Sequence, residues 1–184
     1  MEGRQAAPSF DEIADQILEI FNGVTDEELT RDLPLIAEQG VDSLDMTEAA
    51  FDIEDLFGVE FPERDPLIEL SKRLPPDTII KEGVLTPRGR KLLLERMPEL
   101  DSVSLPEELA VYDVSRYWTV DTFARLVSGV FAHVVREHEA GRTQAVWDGE
   151  GFVHPDSGES VEPPPGEELL ELWVEQKVAE EPDP

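Results

Sequence analysis

Apolar positions recur at helical spacing in three stretches of the chain. In the first, Phe10, Ile13, Ile17, Leu18 and Phe21 form one stripe behind a capping box of Ser9 and Glu12, which predicts a helix that stops at Asn22-Gly23. A second helix is predicted from Asp42-Ser43 to Phe57-Gly58. It carries Met46, Ala49, Ala50, Ile53 and Phe57 on one face and Asp45, Glu48, Asp52, Glu54 and Asp55 on the other. Between them, Thr25 to Val41 reads as a loop anchored by Leu29, Leu33, Leu35 and Ile36. The third stripe is the longest. Thr119 caps it, and Phe123, Leu126, Val127, Val130, Phe131 and Val134 carry it to about Glu139. Val114 to Trp118 reads as one short helical turn ahead of it, so the pattern predicts three helices and a short one in a small bundle.

Two further segments break that pattern. Residues 66–112 interrupt the bundle between its second and last helices. There Leu67 to Leu74 predicts a short helix ended by Pro75-Pro76, and Thr78-Ile79-Ile80 and Val84-Leu85 flank Lys-Glu-Gly as a small hairpin. Thr86-Pro87 is a cap and first-turn pair for a helix through Arg96, which Pro98 stops. Residues 141–184 read as an acidic, Pro-rich appended tail, with a hairpin over 145–153, a stiff spacer at Pro163 to Pro165, and a helix over 167–178 whose apolar stripe of Leu169, Leu172 and Trp173 could dock on the chain's own core or on a partner. The predicted fold class is therefore all-α: a four-helix bundle over 1–140 with its core in 9–62 and 113–138, an inserted helical and hairpin segment, and the tail.

Charge sharpens the picture. The 184 residues hold 43 Asp and Glu against 15 Lys and Arg, a net charge of −28. Such a field repels phosphate backbones and anionic lipid surfaces, which argues against nucleic-acid or membrane-surface binding. The distribution is uneven: residues 1–63 hold 18 acidic and two basic residues, whereas residues 72–96 hold seven basic against three acidic. The basic stretch either folds beside the acidic bundle, offsetting its repulsion or meeting an anion on it, or is an ordinary solvated basic face. No apolar run of membrane-spanning length occurs, and the start Met1 to Pro8 lacks a leader pattern, so a cytoplasmic location is expected. Cysteine is absent, so any thiol chemistry must use a borrowed thiol.

The chemistry concentrates at Gly40-Val-Asp-Ser-Leu-Asp-Met46. A serine at a helix start sits where backbone N–H groups and the helix dipole favour an anion, and Ser43 could equally be a plain helix cap. This stretch, with the acidic helix after it and the helix and loop before it, resembles the prosthetic-group attachment motif of acyl carrier proteins over residues 9–62 and 113–138. The resemblance implies that Ser43 accepts 4′-phosphopantetheine from coenzyme A, and that an acyl group rides on its thiol as a thioester. It also implies that Asp42, Leu44, Asp45, Glu48, Phe51, Asp52, Glu54 and Asp55 face basic partner enzymes, and that Met46, Ala49, Ala50, Ile53, Phe57, Phe123 and Val127 line the core or the acyl pocket. The implied partners are a phosphopantetheinyl transferase and acyl-loading, transferring or condensing enzymes of fatty-acid, specialised lipid or polyketide synthesis, met by a monomer. A peptidyl or aryl carrier, and an acidic interaction module, are the alternatives.

Two departures stand out. Ala49 and Ala50 are small where the family usually carries Leu or Val, so the space is either filled by the insertion or widened for the cargo. The insertion itself argues for a specialised pathway. Val84-Leu-Thr-Pro-Arg-Gly-Arg90 looks like a wing-then-helix passage, but no helix-turn-helix precedes it. An enzyme is not expected. Ser43 lacks a Gly-x-Ser-x-Gly elbow, His133 and His138 do not share a helix face, and no calcium or phosphate-cradling loop occurs.

Overall fold

A computed structural model describes residues 7–180, so most of the start read above, Met1 to Pro8, lies outside the described residues. Its order is α1 (Phe10–Val24), α2 (Ser43–Phe57), α3 (Pro66–Ser71), β1 (Ile80–Lys81), β2 (Val84–Leu85), α4 (Pro87–Arg96), α5 (Val120–Glu139), β3 (Val146–Trp147), β4 (Phe152–Val153) and α6 (Gly166–Glu180). Two 3₁₀ segments, Pro98–Ser102 and Val111–Tyr117, precede α5. The fold is mainly α, as expected.

Local chemistry sets most boundaries. Ser9 and Glu12 close the capping box of α1, the Ser9 amide donating to Glu12 Oε2 at 2.7 Å and the Glu12 amide to Ser9 Oγ at 3.3 Å. Asn22-Gly23 does not stop α1. The helix continues to Val24, because the Asn22 side chain turns out to accept the Leu29 amide at 2.9 Å and leaves the backbone helical. The first hairpin turns on Glu82 and Gly83, both at positive φ (52° and 83°), which is the geometry of a type I′ turn. Thr86 caps α4 by accepting the Gly89 amide at 3.1 Å.

Apolar burial divides into two cores. The first holds α1, α2 and α5, where Phe21 and Phe123 meet edge to face at 5.3 Å between centroids. Arg31 ties α1 to α5 across it, through Asp11 at 3.1 Å, Asp15 at 3.4 Å and Asp121 at 2.9 Å. The β3–β4 hairpin joins this core: Trp147 and Phe152 each lie 4.9 Å from the Phe131 ring. The second core gathers α3, the first hairpin, α4 and both 3₁₀ segments around Leu70, Leu92 and Leu100. Here α4 crosses the hairpin so closely that a Cβ on Gly89 would lie 2.2 Å from Ile79 O, so only glycine fits.

The stretch read as an appended tail is part of both cores. In α6, Leu170 and Val174 are buried against the insertion, while Leu169 packs on the bundle. The insertion exchanges ion pairs with that helix, while Lys72 and Lys91 pair inside the insertion, with Glu69 and Glu95. Arg73 pairs with Glu171, and Lys177 of α6 reaches Glu95 at 3.5 Å. Arg64 bridges Glu167 at 2.5 Å and Glu69 at 3.3 Å. Contact between the insertion and the bundle runs instead through Arg125 of α5 to Glu99 at 2.5 Å and through Trp118, which touches both cores. Among the described residues, no helix is long and apolar enough to cross a membrane.

Candidate functional site

The loop ahead of α2 is held from both sides. Leu29, Leu35 and Val41 are buried under it. Gln39 staples it, its amide donating to Thr30 O at 3.0 Å and Leu33 O at 2.8 Å while its carbonyl accepts the Thr30 amide at 2.7 Å. The Leu35 amide donates to Trp118 O at 2.9 Å and the Ala37 amide to Arg116 O at 3.0 Å, tying the loop to the 3₁₀ segment before α5. Gly40, at φ 78°, then turns the chain into the helix.

Asp42, not Ser43, caps α2. Its Oδ1 accepts the amides of Leu44 at 2.7 Å and Asp45 at 2.9 Å, and Asp45 closes the box by accepting the Asp42 amide at 3.1 Å. The helix-cap reading of Ser43 is therefore excluded by geometry. Ser43 is the first helical residue, exposed, and its hydroxyl makes no hydrogen bond among the described residues. Two carboxylates, Asp42 and Asp45, sit at the positive end of the dipole, and the site presents the exposed Ser43 hydroxyl outward.

The rest of α2 sorts by burial. Glu48, Asp52 and Asp55 project as an exposed acidic face together with Leu44 (71% exposed) and Phe51 (64%). Asp45 is half-buried in the capping box, and Glu54 turns inward to accept the Phe61 amide at 2.6 Å. Leu56, which the sequence reading did not single out, is also exposed at 44%. Of the core or pocket set, Ala49, Ile53, Phe57, Phe123 and Val127 are buried in the bundle. Met46 and Ala50, with Phe51 and Phe123, line an open groove of about 560 Å³ whose other wall includes Arg96, Met97 and Trp118. The small residues of α2 thus have two fates: Ala49 is covered, and Ala50 faces a groove built by the insertion. Thr47, Arg96 and Trp118 were missed as groove residues: Arg96 is one of several basic residues around Leu92-Leu93-Leu94, and no local signal sets it apart.

The family profile described as "Phosphopantetheine attachment site" matches residues 12–67, which span α1, the loop and α2. An acyl carrier protein of Lactobacillus johnsonii is 39% identical over 56 residues, 30% of this chain and 69% of that protein. The chain belongs to the acyl carrier protein family. It is accordingly a carrier and not an enzyme, and its cofactor is 4′-phosphopantetheine. A phosphopantetheinyl transferase and acyl-handling enzymes are its partners as a class. No solved structure matches the chain.

Proposed function

We propose that Ser43 is the attachment residue of this acyl carrier protein and that α2 is the face it offers to partner enzymes. The observation that carries the reading is the exposed, unbonded hydroxyl at the first residue of α2, freed from capping duty by Asp42 and set inside the matched stretch. The residues fit the group as an anchorage: Ser43, exposed and with its hydroxyl unbonded among the described residues, would hold it through a phosphodiester. When bound, the group supplies a terminal thiol that carries an acyl group as a thioester.

Around Ser43, Glu48, Asp52 and Asp55 attract basic partners and raise the encounter rate, while Leu44 and Phe51 give a partner apolar purchase. Asp42, Asp45 and Glu54 contribute charge to that face, but their carboxylates are bound within the chain. The pathway we propose is a specialised lipid or polyketide synthesis in the cytoplasm, because the insertion gives the chain a wall that a plain bundle lacks.

The test is intact mass after incubation of the full chain with coenzyme A, magnesium and a promiscuous phosphopantetheinyl transferase, with Ser43→Ala in parallel. One phosphopantetheine on the wild type and none on the variant is expected. Addition to the variant, or to neither protein, refutes the assignment.

A further inference from the structure

Two grooves meet at Arg96. The first, described above, opens at Met46 and Thr47, one helical turn after Ser43, and Thr47 Oγ1 donates to Ser43 O at 2.8 Å. One turn of helix is about 5.4 Å, so a flexible arm anchored on Ser43 can fold back into this mouth. The second groove, about 350 Å³, runs between α5 and α6 past Leu126, Val130, Leu169 and Trp173, and no residue of α2 lines it. Arg96 and Met97 line both. Arg96 therefore stands where the first groove adjoins the second.

Its guanidinium is poorly provided for. It stacks on Trp173 at 4.6 Å and feels the charge of Asp65, but it makes no hydrogen bond or ion pair among the described residues, and its Nε is buried without an acceptor. Asp65 makes no hydrogen bond or ion pair with it, and its Oδ1 caps α3 by accepting the Leu67 amide at 2.8 Å and the Ile68 amide at 2.9 Å. Burial pulls the Arg96 guanidinium below its ordinary range. In the same groove the indole Nε1 of Trp118 is also buried without an acceptor. Buried donors are nearly always satisfied in folded proteins, and an unpaired buried cation is costly. In a chain with 43 Asp and Glu, this one is not unpaired for lack of anions.

We propose that the groove holds the carried acyl group and selects one that ends in a carboxylate, with Arg96 and Trp118 as the donors that receive it. The proposal rests on attachment at Ser43. The apolar wall of Met46, Ala50, Met97 and Phe123 accepts the methylene chain, and the two donors reject a methyl end that would leave them unpaired. The phosphodiester is a poorer occupant for Arg96, since it would be esterified to Ser43, which lines neither groove.

The experiment loads the full wild-type chain with acyl-phosphopantetheine arms from the corresponding coenzyme A thioesters, in a length series ending either in methyl or in carboxylate. Loading is verified by intact mass. The side-chain N–H resonances of Arg96 and Trp118 are then followed by NMR, with the rate at which hydroxylamine cleaves the thioester. At a matching length, both resonances should move with the carboxylate-ended chain and not with its methyl counterpart. Thioester cleavage should slow about tenfold or more, and Arg96→Gln should remove both effects. The two wild-type series decide the matter even if that variant folds poorly. Loaded protein that treats the two series alike overturns the groove proposal alone. An unacylated arm that moves the Arg96 resonance as far as the carboxylate does gives Arg96 to the phosphodiester and overturns it too. A chain that takes no arm overturns the Ser43 reading, and the groove proposal falls with it.

Discussion

Gly166, the first residue of α6, is where the C-terminal helix meets the chain leaving α2, and its amide donates to Glu60 O at 2.8 Å. A Cβ there would lie 2.4 Å from Glu60 O and 2.5 Å from Pro62 N, with the Pro62 ring at 2.6 Å. None of these atoms can swing aside. On helix propensity alone, Gly166→Ala would stabilise the chain by roughly 0.5–1 kcal/mol. Overpacking against fixed backbone typically costs about 1–3 kcal/mol, and displacing α6 weakens a hydrogen bond worth about 1 kcal/mol. The expected net loss is therefore about 1–3 kcal/mol. Gly129→Ala is the control: it lies within α5, nothing sits within 4 Å of its Cβ, and a gain of roughly 0.5–1 kcal/mol is expected. For a chain of this size each kcal/mol moves the melting temperature by about 2–4 °C. Thermal melts followed by circular dichroism should thus move in opposite directions for two chemically identical substitutions. A Gly166→Ala protein melting at or above wild type would refute the close docking of α6 on residues 60–62.

Asp42→Ala removes the acceptor of the Leu44 and Asp45 amides and should cost about 0.5–2 kcal/mol, with faster hydrogen exchange at those two amides; unchanged exchange would show that Asp42 does not cap α2. Phe21→Ala empties a fully buried site against Phe123 and should cost about 3–5 kcal/mol in urea denaturation. The Glu167 carboxyl is held below its ordinary range by the Arg64 backbone N–H first, then the Arg64 side chain and the Glu63 amide, against desolvation. A depressed carboxyl stabilises the folded chain above the unfolded pKa of about 4.3, and that contribution is lost as pH falls through the lower folded value. An NMR titration should place its midpoint below about 4.3, and Arg64→Gln should raise it; a midpoint at or above the ordinary value would refute the contact. Asp65 runs the other way, burial pushing its carboxyl up against its two backbone donors, so its ionisation costs stability as pH rises through the window above about 3.9.

The elements legible in the sequence were those whose signals are local. The Ser9–Glu12 box, the Thr119 cap, the Thr86-Pro87 start and the stripe of α5 each rest on residues within a few positions of one another, and each appears where its chemistry places it. Ser43 was legible as a candidate for the same reason. Which neighbour caps the helix was not, because Asp42 and Ser43 are both good caps and only the backbone decides between them. The inward turn of Glu54 was likewise hidden, since it depends on where the Phe61 amide arrives after the chain reverses at Gly58.

The sequence by itself determined where the main helices lie, the N-terminal caps of α1, α4 and α5, the acidic face of α2 and the serine at its start, since short-range hydrogen bonds and a 3.6-residue period suffice for these. Only the tertiary structure decided that residues 141–180 belong to the fold. Leu169 faces the bundle and Leu170 and Val174 face the insertion, so a helix wedged between two cores spreads its apolar residues over two sides and shows no single stripe. The same long-range packing brings α2, α4 and Trp118 together around one groove and leaves the buried Arg96 Nε without an acceptor among the described residues. Burial and the lack of a partner depend on residues far apart in sequence, and no local pattern encodes them.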